Sequence, residues 1–135
     1  MGGNNMKNPL FIIEGLDVSA YAMAEELEKD VEPFFVKKVD YKAYDSEGRI
    51  LTLGIVMKEK PIYFGLFKTA VELVVVQSAE VEAMHANDLR DALSKYLKYQ
   101  NKENTEIYDK MSLERLVQKF IELNGFVKVG KLFAR

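Results

Sequence analysis

The chain contains no cysteine. Disulfides, thiolate zinc sites, iron–sulfur ligation and cysteine nucleophiles are therefore excluded together. It has one histidine, no tryptophan and three prolines. Any histidine-based triad or metal site has to be built on His85 alone. The phosphate-cradling patterns G-x-x-x-x-G-K-[ST] and G-x-G-x-x-G are absent, and so is the G-x-S-x-G nucleophile elbow. No apolar run approaches the ~18 residues of a membrane span. The longest, Ala70 to Val76, already contains Glu72. Charge of one sign is not in excess: the formal net charge is −2. Nothing in that balance draws the chain toward nucleic acid or an anionic membrane.

What remains has a globular composition. The 135 residues are 48% hydrophobic and 30% charged, which suits one domain with a core of its own. Residues 1–8 are polar, with a lone Lys7 and no apolar signal-peptide segment after it. Gly2 lacks the Ser or Thr at position 6 that myristoylation wants, because Met6 stands there. The reading is a loose tail over 1–8, a single domain over 9–135, and a cytoplasmic location by default.

The periodicities divide the domain into elements. Pro9 to Glu14 is a short apolar strand. Over 18–31, Ala20, Met23, Ala24, Leu27 and Val31 follow a 3.6-residue stripe and predict a helix stopped by Pro33. Phe34 to Tyr44 reads as a long strand with a bulge near Lys37. Asp45-Ser46-Glu47-Gly48 is a hairpin turn, with Gly48 suited to positive φ. Arg49 to Lys58 returns as its second arm. Glu59-Lys60-Pro61 is read as a turn, Ile62 to Phe67 as a strand, Lys68-Thr69 as a turn, and Ala70 to Gln77 as a β-branched strand. Residues 88–100 form a helix capped by Asn87, and Ser112 caps another that stops at Gly125. Phe126 to Phe133 is a last candidate strand. The order is that of an α+β domain: an antiparallel sheet of about four to six strands round a hairpin meander, with about three helices packed on it.

One pattern goes further. Along 49–58, Leu51, Leu53, Ile55 and Met57 point one way, but Ile50, Thr52, Gly54 and Val56 on the other face are also mostly apolar. Ile62, Phe64 and Leu66 alternate with Tyr63, Gly65 and Phe67 in the same two-sided manner. A sheet with one wet face should alternate apolar with polar. Either helices cover both faces, the favoured reading, or part of one face is an interface or pocket. Gly54 and Gly65 suit a close approach by another group. The candidate interface or pocket residues are Ile50, Thr52, Gly54, Val56, Tyr63, Gly65 and Phe67.

Residues with chemical potential are outweighed by plainer readings. Glu82 and His85 have the i, i+3 spacing of di-metal bundles, but no second pair exists, so His85 reads as a surface or capping histidine. Glu25, Glu26 and Glu28 form the solvated face of a helix. From Lys95 to Arg135 nine basic residues face five acidic ones, with Tyr96, Tyr99 and Tyr108 interleaved. Yet Tyr96 falls on a buried stripe, the charges alternate, and no RNA-binding signature occurs. No catalytic, metal or cofactor residue is nominated, and the reading leans away from an enzyme. The expectation is a non-catalytic interaction or regulatory domain. It binds a protein partner or a second copy of itself, as a homodimer, with no membrane or nucleic-acid role. The alternative is a binder of a small apolar or aromatic ligand, or an enzyme, with a pocket between sheet and helices.

Overall fold

The computed structural model describes residues 5–103 and 105–128. In chain order the elements are β1 (Leu10–Glu14), β2 (Asp17–Tyr21), α1 (Ala24–Asp30), α2 (Pro33–Lys38) and β3 (Lys42–Tyr44). They continue with β4 (Leu51–Ile62), β5 (Phe67–Ala79), α3 (Ala86–Gln100), α4 (Glu106–Asp109) and α5 (Leu113–Asn124). The class is α+β with antiparallel pairing throughout. The expected single sheet of four to six strands is instead two sheets. One is three-stranded in the order β2-β1-β3, and the other is the two-stranded hairpin β4-β5. Five helices, not three, are present among the described residues.

β1 reads as an unbroken apolar run because both faces of its sheet are covered. Successive side chains alternate across a strand. Phe11 joins Val18, Ala20 and Tyr44 against Leu89, Leu93 and Leu97 of α3, and against Leu116, Val117 and Phe120 of α5. Leu10 and Ile12 turn to the opposite side, where they meet Tyr21, Leu27, Val31 and the hairpin base at Leu51, Leu53 and Val74. The three-stranded sheet is thus the middle of three layers.

Several elements depart from the sequence expectation. The first half of the 18–31 helix is β2, paired with β1 in five registers from Leu10↔Tyr21 to Glu14↔Asp17. Gly15, at φ +61°, closes that turn. Cross-strand pairing and burial of Val18 and Ala20 outweigh the helical stripe, which starts in earnest only at Ala24. The long strand over 34–44 is overturned too. Pro33 does not merely stop a helix; it opens α2, with Glu32 extended before it, as proline's fixed φ allows at a first helical turn. Only Lys42–Tyr44 is strand, paired to β1.

The turns at 59–61 and 68–69 and the strand at 62–67 are also corrected. β4 runs straight through Pro61, paired with Lys68, and the chain reverses at Tyr63–Leu66. Both strands of a two-stranded sheet are edges, and edges tolerate proline. Asn87 lies inside α3, whose N-cap is His85. Residues 126–128 form no strand; Val127 N–H donates to the Ala20 carbonyl at 2.8 Å. The rest of that expected strand falls outside the described residues.

Other expectations hold. β1 fills Pro9–Glu14 but for its first residue. Ser112 Oγ accepts the Arg115 N–H at 3.2 Å and starts α5. Gly125, at φ +72°, ends it. The 45–48 turn is held by the fully buried Asp45, whose carboxylate accepts the N–H groups of Glu47 and Arg49 at 2.9 and 2.8 Å. It also accepts the Lys7 N–H at 3.0 Å, and the Lys7 carbonyl accepts from Ser46. Lys7, read as part of a loose tail, is tied to this turn.

Candidate functional site

The β4–β5 hairpin is anchored at its base and bare at its far end. At the base, Leu51, Leu53 and Val74 are buried in the core. α1 covers the β5 edge there, with Glu28 Oε2 accepting the Val76 N–H at 2.7 Å. α2 reaches a little further out, through Lys37 Nζ to Glu72 at 2.5 Å. Past the Val56↔Leu73 pair every residue but Val71 is exposed. Val56 to Ile62 alone extends ~20 Å at the usual rise of a strand.

The exposed part is not polar. Paired residues share a face, so Gly54↔Val75, Val56↔Leu73, Lys58↔Val71 and Ile62↔Phe67 lie together on the side away from the core. Among the described residues no helix or strand covers that side at Val56 and Leu73, which are 41% and 39% exposed. Helices covering both faces of the 49–67 strands, the favoured reading of that pattern, are therefore not found over the outer half of the hairpin among the described residues.

The tip concentrates the apolar surface. Tyr63, Phe64 and Leu66 are among the most exposed large side chains of the chain, with Phe64 wholly in solvent. Tyr63 and Phe64 have φ of +51° and +59°, followed by Gly65 at +85°. Gly65 N–H donates to the Ile62 carbonyl and Leu66 N–H to that of Tyr63, both at 3.1 Å. Positive φ at two consecutive central residues matches the right-handed twist of the arms, which is why hairpins use it. Glycine and asparagine ordinarily take those positions. Two aromatics there cost about 1–2 kcal/mol each, and they aim large apolar groups outward. The Tyr63 ring meets the Phe67 ring edge-on, with centroids 5.8 Å apart.

The seven nominated residues separate accordingly. Val56, Tyr63, Gly65 and Phe67 belong to the free part of the hairpin. Thr52 is exposed at the base, opposite Ser78. Gly54 lies under the side chain of Gln77, the extra residue of a bulge opposite Thr52/Leu53. The close approach expected at Gly54 is thus a neighbouring side chain, whereas Gly65 has nothing near it and serves the turn. Ile50 is not on the free face: it bridges to Tyr44 and packs against the core. Tyr63, Phe64 and Phe67 stand in solvent rather than around a pocket. The sequence suggests the tip's Phe64 only as a wall, with Tyr63 and Phe67, of the alternative ligand pocket, and Lys60 and Lys68 only as turn residues. The signal for them was Gly65, the single turn-former between two arms of matching length.

His85 is drawn into local structure. Its backbone N–H donates to the Gly48 carbonyl, and its Nδ1 lies 2.9 Å from Glu80 Oε1. The same oxygen accepts the Ile50 N–H at 2.8 Å. That backbone bond, and then His85, hold the Glu80 carboxyl below its ordinary pKa. Among the described residues no three His, Asp or Glu side chains gather as a metal site, and no helix is long and apolar enough to cross a membrane.

Two open clefts flank the three-stranded sheet. One, of about 430 Å³, lies between Tyr44, Asp88, Asp91 and Lys95. The other, of about 380 Å³, lies between β2 and α2. There the Tyr21 hydroxyl donates to Asp30 Oδ2 at 2.6 Å. Burial first, and then Asp30, push the phenol's pKa well above its usual range and keep it a neutral donor. Compared with family models, with curated proteins and with solved structures, the chain finds no match in any of the three.

Proposed function

We propose that this is a non-catalytic interaction or regulatory domain that self-associates through the β4–β5 hairpin. One observation supports the reading: the outer half of the hairpin carries large apolar side chains that nothing among the described residues covers. An isolated two-stranded hairpin is marginal in water. Contiguous exposed apolar surface on a folded domain usually marks a binding site. Beyond the part guarded by Glu28, the unpaired edges are also long enough to template pairing with another strand. Lys58, Glu59, Lys60 and Lys68 keep this arm soluble while it is unpartnered.

The test removes the arm and spares the core. Lys58 to Val71 is replaced by a two-residue Asn-Gly turn closing on the Met57↔Glu72 pair, which keeps Leu51, Leu53 and Val74 in register. Light scattering on a sizing column should give a dimer for the full chain at high micromolar concentration. The shortened chain should be a monomer with its helical circular dichroism retained. A full-length chain that stays monomeric at that concentration removes the reading.

A further inference from the structure

Resting on that reading, we infer that the hairpin tip of one copy docks in the β2–α2 cleft of a second copy, and reciprocally. The two surfaces are opposite in charge and alike in apolar content. The cleft, of about 380 Å³, has an apolar floor from Ile12, Val31, Phe35 and Val39 and an open aromatic wall from Phe34, which is largely exposed. Its volume is at the small end of the ~300–1,000 Å³ range of ligand pockets, which suits an aromatic side chain. Glu14, Asp17, Asp30 and Glu32 line it, and among the described residues no lysine or arginine does. The tip presents Phe64 and Leu66 in solvent, and within residues 58–68 three lysines accompany one glutamate.

The cleft also carries a local arrangement that a cation would relieve. Glu14 and Asp17 are directly opposed at the end of the β1–β2 ladder. Like charges directly opposite one another destabilise a strand pair. Neither side chain has a basic partner among the described ion pairs. A lysine from outside supplies what the pair lacks. The chain's own tip cannot do so. Phe64 is wholly exposed, and seven residues of turn and strand separate it from Glu72, the point where α2 touches the hairpin. Docking therefore takes a second chain, and two copies exchanging tips make a closed two-fold dimer.

Charge reversal on each side separately, and then together, tests this on the full chain. Lys60→Glu/Lys68→Glu gives a tip and a cleft that are both acidic. Glu14→Lys/Asp17→Lys/Glu32→Lys leaves only Asp30 against three lysines in the cleft and gives a tip and a cleft that are both basic. Each variant alone should weaken self-association at least about a hundredfold, because like charges brought together cost several kcal/mol. An equimolar mixture should recover a heterodimer, since both of its tip–cleft contacts are again complementary. Phe34→Ala, at a residue already in solvent, should weaken association by at least about tenfold and checks the cleft without altering charge. Circular dichroism confirms that each variant is folded.

Three results overturn the inference. A monomeric wild type overturns it together with the proposed function. A wild-type dimer indifferent to the charge reversals and to Phe34→Ala, but weakened by Val56→Lys, overturns it alone and assigns association to the outer face of the hairpin. Sedimentation of wild type with phosphatidylglycerol vesicles, abolished by Lys60→Glu/Lys68→Glu while self-association is unaffected, assigns the tip to a lipid surface instead.

Discussion

Gly48 and Ala86 approach so closely that a Cβ on the glycine would stand 2.4 Å from the Cα of Ala86. The turn that launches β4 is thereby pressed against the first turn of α3, and the His85 N–H donates to the Gly48 carbonyl across the join at 3.0 Å. The hairpin's base and the N-terminus of the longest helix are positioned by the same contact.

Gly48→Ala should therefore be severe. Gly48 has a φ of +93°, which an L side chain adopts only with strain. The atoms in the way are backbone atoms of His85 and Ala86, which cannot swing aside. Strain and clash together should cost about 3 kcal/mol or more. Urea denaturation measures it. Gly65→Ala, where positive φ is the only obstacle because nothing lies within 4 Å, should cost about 1–2 kcal/mol. Equal losses at the two glycines would show that α3 does not press on the turn.

Glu80 should make stability depend on acid. Its carboxylate is held below its ordinary pKa first by the Ile50 N–H and then by His85. A group whose folded pKa is depressed contributes stability above its unfolded pKa and loses it as pH falls through the folded value. For a glutamate that window lies from roughly pH 5 down to pH 3. The urea midpoint of the wild type should fall more steeply across this window than that of Glu80→Gln, which has no charge to lose. Parallel profiles for the two proteins would remove Glu80 from the acid response.

The legible parts of the fold were those decided by local chemistry. Ser112, Gly125 and Gly48 announce their caps and turn because few other residues satisfy those backbone positions. The two longest helices follow from stripes such as Leu89, Leu93 and Leu97, which the sheet and the neighbouring helix bury together. The misread parts were decided by distant partners. Ala20 and Leu27 fit one helical stripe, yet Ala20 is claimed by β1 and faces α3 while Leu27 belongs to the opposite layer. Phe34, Phe35 and Val36 broke the strand alternation because they are helical, and Pro33 was the sign of a start as much as of a stop. At the candidate site, the two-sided apolar pattern was visible from 49 to 67, but the reversal was misplaced. Pro61 resembles a turn residue until both neighbouring strands are known to be edges. Nothing in the sequence brings Glu14, Asp17 and Glu32 together, because only the β1–β2 pairing and the start of α2 do so.

Val56→Lys separates a covered hairpin from a free one. Under a helix of its own chain, an unpaired ammonium at this position would be buried at a cost that unfolds the domain. Val56 is instead 41% exposed and opposite Leu73 on the side away from the core. Its loss should remove one apolar cross-strand pair, worth roughly 0.2–1 kcal/mol, and the lysine should extend into water along its own stem. The expected product is a folded chain, little changed in circular dichroism and urea midpoint, whose self-association on a sizing column is weakened. A variant that loses its helical signal would show that the outer face is covered within one chain, and the exposed hairpin would then no longer support an interaction surface.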